Sequence, residues 1–130
     1  MESFATVSYR RLPQEKEIEN TIIDYLDRLP GVVAFRPKNI GVPEVNKKTG
    51  KTFFRTPRKT KYSEGIPDIV CCYHGRFIAF EVKRNSKVKP SKEQIDFITD
   101  VNALGGKVFV VWSLSQVVDV IKRDPSSSVL

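Results

Sequence analysis

The chain has 130 residues, 40% of them hydrophobic, which is room for one domain with a modest core and too apolar for wholesale disorder. Lys and Arg outnumber Asp and Glu by 22 to 15, and the resulting net charge of +7 favours a polyanionic partner, either nucleic acid or an acidic membrane surface. Apolar runs reach only about five residues, as at Val108 to Trp112, and Met1 to Leu12 holds no continuous apolar stretch, so neither a membrane span nor a secretory signal is expected. The two cysteines, Cys71 and Cys72, are adjacent, and a strand would point them to opposite faces; they form neither a disulfide framework nor a CxxC metal site. The expected setting is a soluble protein of a reducing compartment, cytoplasmic and nucleoid-associated (host cytoplasm if viral). No repeat, heptad seam or Gly-rich phosphate loop occurs, so no nucleotide cofactor is expected.

Residues Pro13 to Leu29 predict the first helix, with Ile18, Ile22, Tyr25, Leu26 and Leu29 at helical spacing and Pro30-Gly31 as its stop. Val32 to Phe35 reads as a short strand. From Arg36 to Gly65 the periodicity is lost, and Pro43, Pro57 and the turn signal at 48–50 argue for a long basic loop or flexible hairpin, an insertion over about 37–64. Asp68 to Tyr73 and Arg76 to Lys83 are strand-like and joined by a two-residue His74-Gly75 turn. After a second basic loop, Arg84 to Pro90, a helix runs from Ser91 to Leu104 and is stopped by Gly105-Gly106. Lys107 to Trp112 predicts a buried strand and Ser115 to Arg123 a last helix, with a frayed tail from Asp124 to Leu130. The whole is a single α/β domain, a mixed central sheet flanked by helices. Trp112 and the phenylalanines are expected in the core, although Phe53-Phe54 in the basic loop are candidates for nucleotide contact.

The chemistry concentrates on the predicted hairpin. A His74-Gly75 turn pairs Tyr73 with Arg76, and the same register sets Asp68 opposite Glu81, with side chains roughly 4.5–5.5 Å apart at Cβ. Lys83, two residues beyond Glu81, points to that face. Two directly opposed anions are destabilising unless neutralised, by Lys83 in part and by a hard divalent cation more fully. An ordinary Glu81–Lys83 ion pair beside a turn-capping Asp68 is the plainer reading of each residue taken singly. His74, in the turn, is distal to these groups and reads as a turn residue.

The order Gly65-Ile66-Pro67-Asp68, twelve residues, then Glu81-Val82-Lys83 resembles the signature of the PD-(D/E)XK nuclease superfamily, and most closely its virus-type replication-repair (VRR-NUC) branch. Holliday-junction resolvases are the nearest rival. The resemblance spans about Glu15 to Trp112. It implies a restriction-endonuclease-like α-β-β-β-α-β core and hydrolysis of DNA phosphodiester bonds dependent on Mg²⁺ or Mn²⁺. Asp68, Glu81 and the Val82 backbone carbonyl are the implied metal ligands, and Lys83 the residue that positions or helps deprotonate the attacking water. Glu15 matches the family's helix glutamate, as a further acid at the metal, and Glu19 is the fallback; a solvated first-turn Glu15 favouring the helix dipole is the bland alternative. Gln94 matches the family's helix glutamine, yet Ser91-Lys92-Glu93-Gln94 is also a capping box.

Lys47, Lys48, Lys51, Arg55, Arg58, Lys59 and Lys61 in the first basic stretch, and Arg84, Lys87, Lys89 and Lys92 in the second, are expected to hold the DNA backbone by sequence-independent phosphate contacts. A branched or duplex DNA substrate in replication, repair or recombination and a homodimer are the partners the resemblance suggests. A non-catalytic or partner-dependent DNA-binding module is the alternative. A membrane-surface role lacks its basic amphipathic helix, because the basic residues cluster in loops.

Overall fold

In a computed structural model that describes residues 14–37, 42–55, 58–125 and 127, the chain runs α1 (Glu15–Asp27), β1 (Val32–Phe35), β2 (Val42–Val45), β3 (Thr52–Arg55), a 3-10 turn (Ser63–Gly65), β4 (Ile69–Tyr73), β5 (Arg76–Val82), α2 (Lys92–Ala103), β6 (Lys107–Val111) and α3 (Leu114–Arg123). His74 and Gly75 both take positive φ, 50° and 80°, the geometry that matches a two-residue loop to the right-handed twist of its strands. That turn fixes the register, with Tyr73 on Arg76 and Ile69 on Phe80. Strand order in the four-stranded sheet is β1-β4-β5-β6, antiparallel except for the parallel β5–β6 pair.

Alternation along the strands sorts the side chains between two faces. Ile69, Cys71, Tyr73, Ile78, Phe80 and Val82 fill the core face, under Ile22 and Leu26 of α1 and Val117 and Ile121 of α3. Each such side chain contributes about 1.5–3 kcal/mol by leaving water. Cys72 is exposed where Cys71 is buried. The α2 helix lies over the opposite face, where Gln94 reaches Glu81 and Val101 sits beside Gly106 and Phe77. Capping boxes start both later helices, Ser91 with Gln94 and Ser113 with Gln116.

Several expectations need correction. Of the two readings of the stretch after Arg36, the hairpin is found and the bare loop is not: β2 and β3 pair into a separate two-stranded sheet, and Pro43 is accommodated because each strand of such a ribbon has a free edge. The first helix begins at Glu15 behind Gln14, and Pro13 lies outside the described residues. Trp112, expected in the core, is 39% exposed because it follows the last paired residue of β6, an edge strand; Phe35, Phe53, Phe54 and Phe77 are also exposed. Asp124 is not frayed: its carboxylate meets Arg76 Nε at 2.9 Å, while residues 126 and 128–130 lie outside the described set. Among the described residues no helix is long and apolar enough to cross a membrane.

Candidate active site

The β4–β5 ladder ends at Ile69 and Phe80, so the next step in register belongs to Asp68 and Glu81. Asp68 Oδ2 accepts the Val82 N–H at 2.7 Å, which ties its carboxylate to the end of β5. Glu81 is only 4% exposed and Lys83 only 9%. Gln94 joins them: its Nε2 donates to Glu81 Oε1 at 2.7 Å, and its Oε1 accepts from Lys83 Nζ at 3.1 Å. Lys83 Nζ lies 3.6 Å from Glu81 Oε1. The same Gln94 Oε1 accepts the Ser91 N–H at 2.8 Å, so the capping box orients the amide that faces the acids. One rotamer of Gln94 thus both caps α2 and faces Glu81 and Lys83.

Glu81 Oε2 is buried and has no hydrogen-bond partner. Burial first, and then the charge of Asp68, push the Glu81 carboxyl up to about 8, against a smaller lowering by Lys83. Such a group is satisfied by either a proton or a cation. Among the described residues no set of three or more His, Cys, Asp or Glu side chains converges as a metal cage. The donor set nevertheless suits Mg²⁺, which typically takes one or two carboxylates and completes its shell with waters and substrate phosphates. Asp68 and the unpartnered oxygen of Glu81 are that pair. Val82 is seen to contribute its N–H, to Asp68.

The structure separates the two helix acids. Glu15 is exposed at the first turn of α1. Glu19 is tucked in, with Arg36 Nε 3.1 Å from its Oε1; burial and then the charge of Asp68 raise its pKa. The Arg36 guanidinium also donates to Asn20 Oδ1. A cleft of about 830 Å³ is lined by Lys16, Glu19, Arg36, Arg58, Pro67 and Asp68 among others. Sequence reasoning missed Arg36 and Lys16 here, since only the packing of α1 against β1 brings them beside Asp68.

Local contacts hold the Asp68 segment in place. Tyr62 donates to Asp100 Oδ2 at 2.5 Å and packs edge-on against Phe97, clipping the 3-10 turn to α2. Gly65 passes so close to α2 that a Cβ there would lie 2.2 Å from the Glu93 carbonyl oxygen. Of the expected DNA contacts, Arg58 lines the cleft, and Arg84, Lys87, Lys89 and Lys92 are exposed between β5 and the start of α2. Three are engaged internally: Arg55 with Glu44 at 2.6 Å, Lys59 with Glu64 at 3.0 Å, and Lys92 with Asp96 at 3.5 Å. Exposed pairs of this kind are weak and readily exchanged for a phosphate. Lys61 lies over the Tyr62 ring, and Lys47, Lys48 and Lys51 are exposed at the end of the β2–β3 ribbon. No protein-family model and no curated protein matches the chain.

Proposed function

We propose that the protein is a Mg²⁺- or Mn²⁺-dependent endodeoxyribonuclease of the PD-(D/E)XK type, hydrolysing phosphodiester bonds of branched or duplex DNA. The observation that carries the reading is the part-buried Asp68–Glu81–Lys83–Gln94 network with its one unpartnered carboxylate oxygen, beside a cleft that Asp68 shares with Lys16, Arg36 and Arg58. Leaving aside the β2–β3 insertion, the order α1-β1-β4-β5-α2-β6 agrees with the expected core and supports the assignment. A module that only bound DNA would gain nothing from holding Glu81 against Asp68 at the edge of its cleft, since two acids repel phosphate. With a cation they attract it.

A divalent cation held by Asp68 and Glu81 would polarise the scissile phosphoryl group and acidify a bound water. The chain's own residues do the rest. Lys83, held by Gln94 Oε1 and Glu81, presents an ammonium that stabilises charge developing on the phosphoryl oxygens and orients the water. Gln94 keeps Glu81 Oε1 occupied, which leaves Oε2 as the free ligand. Lys16, Arg36 and Arg58 offer backbone contacts along the cleft. In a cleavage panel of four-way junction, flap, single strand and linear duplex, Asp68→Ala and Lys83→Ala should each lose activity by at least about a hundredfold. A folded wild type inert on every substrate with both Mg²⁺ and Mn²⁺ would sink the proposal.

A further inference from the structure

The β2–β3 ribbon carries chemistry that the acid cluster does not use. Its register pairs Pro43 with Phe54 and Val45 with Thr52, so these four side chains share one face. Phe54 is 66% exposed and Val45 60% exposed, an apolar surface with no extensive packing against any other element among the described residues. The other face holds Phe53 beside the Glu44–Arg55 ion pair. A short isolated hairpin is marginal in water. Here the turn is stiffened: Asn46 Oδ1 accepts from the N–H groups of Lys48 and Thr49, and Asn46 exchanges backbone bonds with Gly50 and Lys51. That turn holds Lys47, Lys48 and Lys51 at the tip, with no ion pair among the described residues.

We propose that this ribbon is a stacking platform for unpaired bases, with Phe54 against a base and the three tip lysines on the flanking phosphates, so that the nuclease selects DNA with a single-stranded segment. An exposed aromatic ring next to cations is the composition of single-strand grooves, because every base has a π-face that a duplex hides within its own stack. Roughly 10 Å of strand separate Phe54 from Lys51, within reach of phosphates adjoining a stacked base. A second copy of the chain is a poorer occupant, since an isologous contact through the ribbon would bring two uncompensated lysine tips to one surface. The inference rests on DNA as the substrate of the proposed nuclease and names the form of DNA.

The test is equilibrium binding by fluorescence anisotropy, in EDTA so that no strand is cut. The probes are a blunt duplex and the same duplex carrying an oligothymidylate arm. Wild type should prefer the armed duplex. Phe54→Ala should weaken the armed probe about tenfold and leave the blunt one within about twofold, and Phe54→Trp should restore the preference. Replacing Lys47, Lys48 and Lys51 together by Ala should weaken both probes and lower the salt slope on the single-stranded arm by about 2. Equal loss on both probes for Phe54→Ala, or no loss, overturns the inference while leaving the nuclease reading intact. A wild type that binds neither probe overturns the platform, while the nuclease reading stands or falls separately on cleavage with Mg²⁺ or Mn²⁺. Conversion of a dimer to a monomer by Phe54→Ala in sedimentation assigns the face to a second copy and overturns the platform.

Discussion

At the Glu81 carboxyl, burial and the Asp68 charge act in the same direction, and together they outweigh the nearby Lys83. The metal-free site therefore holds a proton near neutrality that the unfolded chain, with its glutamate near 4.5, has already released. This proton's contribution to stability is fully present below about 4.5 and is lost as the pH rises through about 8. If the proposed cation binds at Glu81 it must displace the proton, so Mn²⁺ affinity should rise with pH up to about 8 and flatten above it. Calorimetric titration at pH 7 in buffers of different ionisation enthalpy should register proton release, and titration well above pH 8 should register none. Binding without proton release at pH 7 would contradict the account. On α1, Glu19→Gln should lower cleavage at least about tenfold, whereas Glu15→Gln should stay within about twofold, because Glu19 lines the cleft with Asp68 and is raised by its charge while Glu15 is exposed at the first turn. Equal effects of the two substitutions in a single-turnover assay would remove the distinction.

Among the elements, the 3-10 turn and α2 set the distance between Asp68 and Gln94. Gly65 permits that distance, since its missing Cβ is what lets the Glu93 carbonyl approach. Gly65→Ala would force the two segments apart and should destabilise the fold by about 1–3 kcal/mol, the usual magnitude of overpacking. Urea unfolding should show a lower midpoint at an unchanged slope, together with loss of cleavage at denaturant concentrations where the variant is still folded. A variant with wild-type midpoint and activity would mean that α2 shifts freely. The Gly65 position carried a motif in the sequence. Its physical reason, a backbone passing over another backbone, appears only once α2 is in place.

For the molecule as a whole, the +7 charge is placed unevenly. Basic side chains tip the β2–β3 ribbon and occupy the turn after β5, while in the Asp68 cleft Lys16, Arg36 and Arg58 stand among Glu19, Glu64 and Asp68, of which Glu19 pairs with Arg36 and Glu64 with Lys59. Phosphate binding of this sort releases counterions, and its strength falls steeply with salt. Replacing Arg84, Lys87 and Lys89 by Ala should reduce the slope of log K against log salt on duplex DNA by about 3, with no change in the order of preference among sequences. Parallel plots for variant and wild type would show that the loop after β5 does not touch the backbone.

What was legible in the sequence is what short range controls. A two-residue turn dictates the register of its own hairpin, so the pairing from Tyr73 on Arg76 to Ile69 on Phe80, one step short of Asp68 and Glu81, followed from the position of His74-Gly75, and the alternation of Cys71 and Cys72 followed with it. The Ser91–Gln94 capping box was equally local. The choice between Glu15 and Glu19, the recruitment of Arg36, the exposure of Trp112 and the capture of Asp124 by Arg76 were decided by tertiary structure. Helical periodicity names a face about a turn wide, and both glutamates satisfy it. Which of them meets Asp68 depends on where α1 comes to rest against the edge of the sheet, a result of packing many side chains at once.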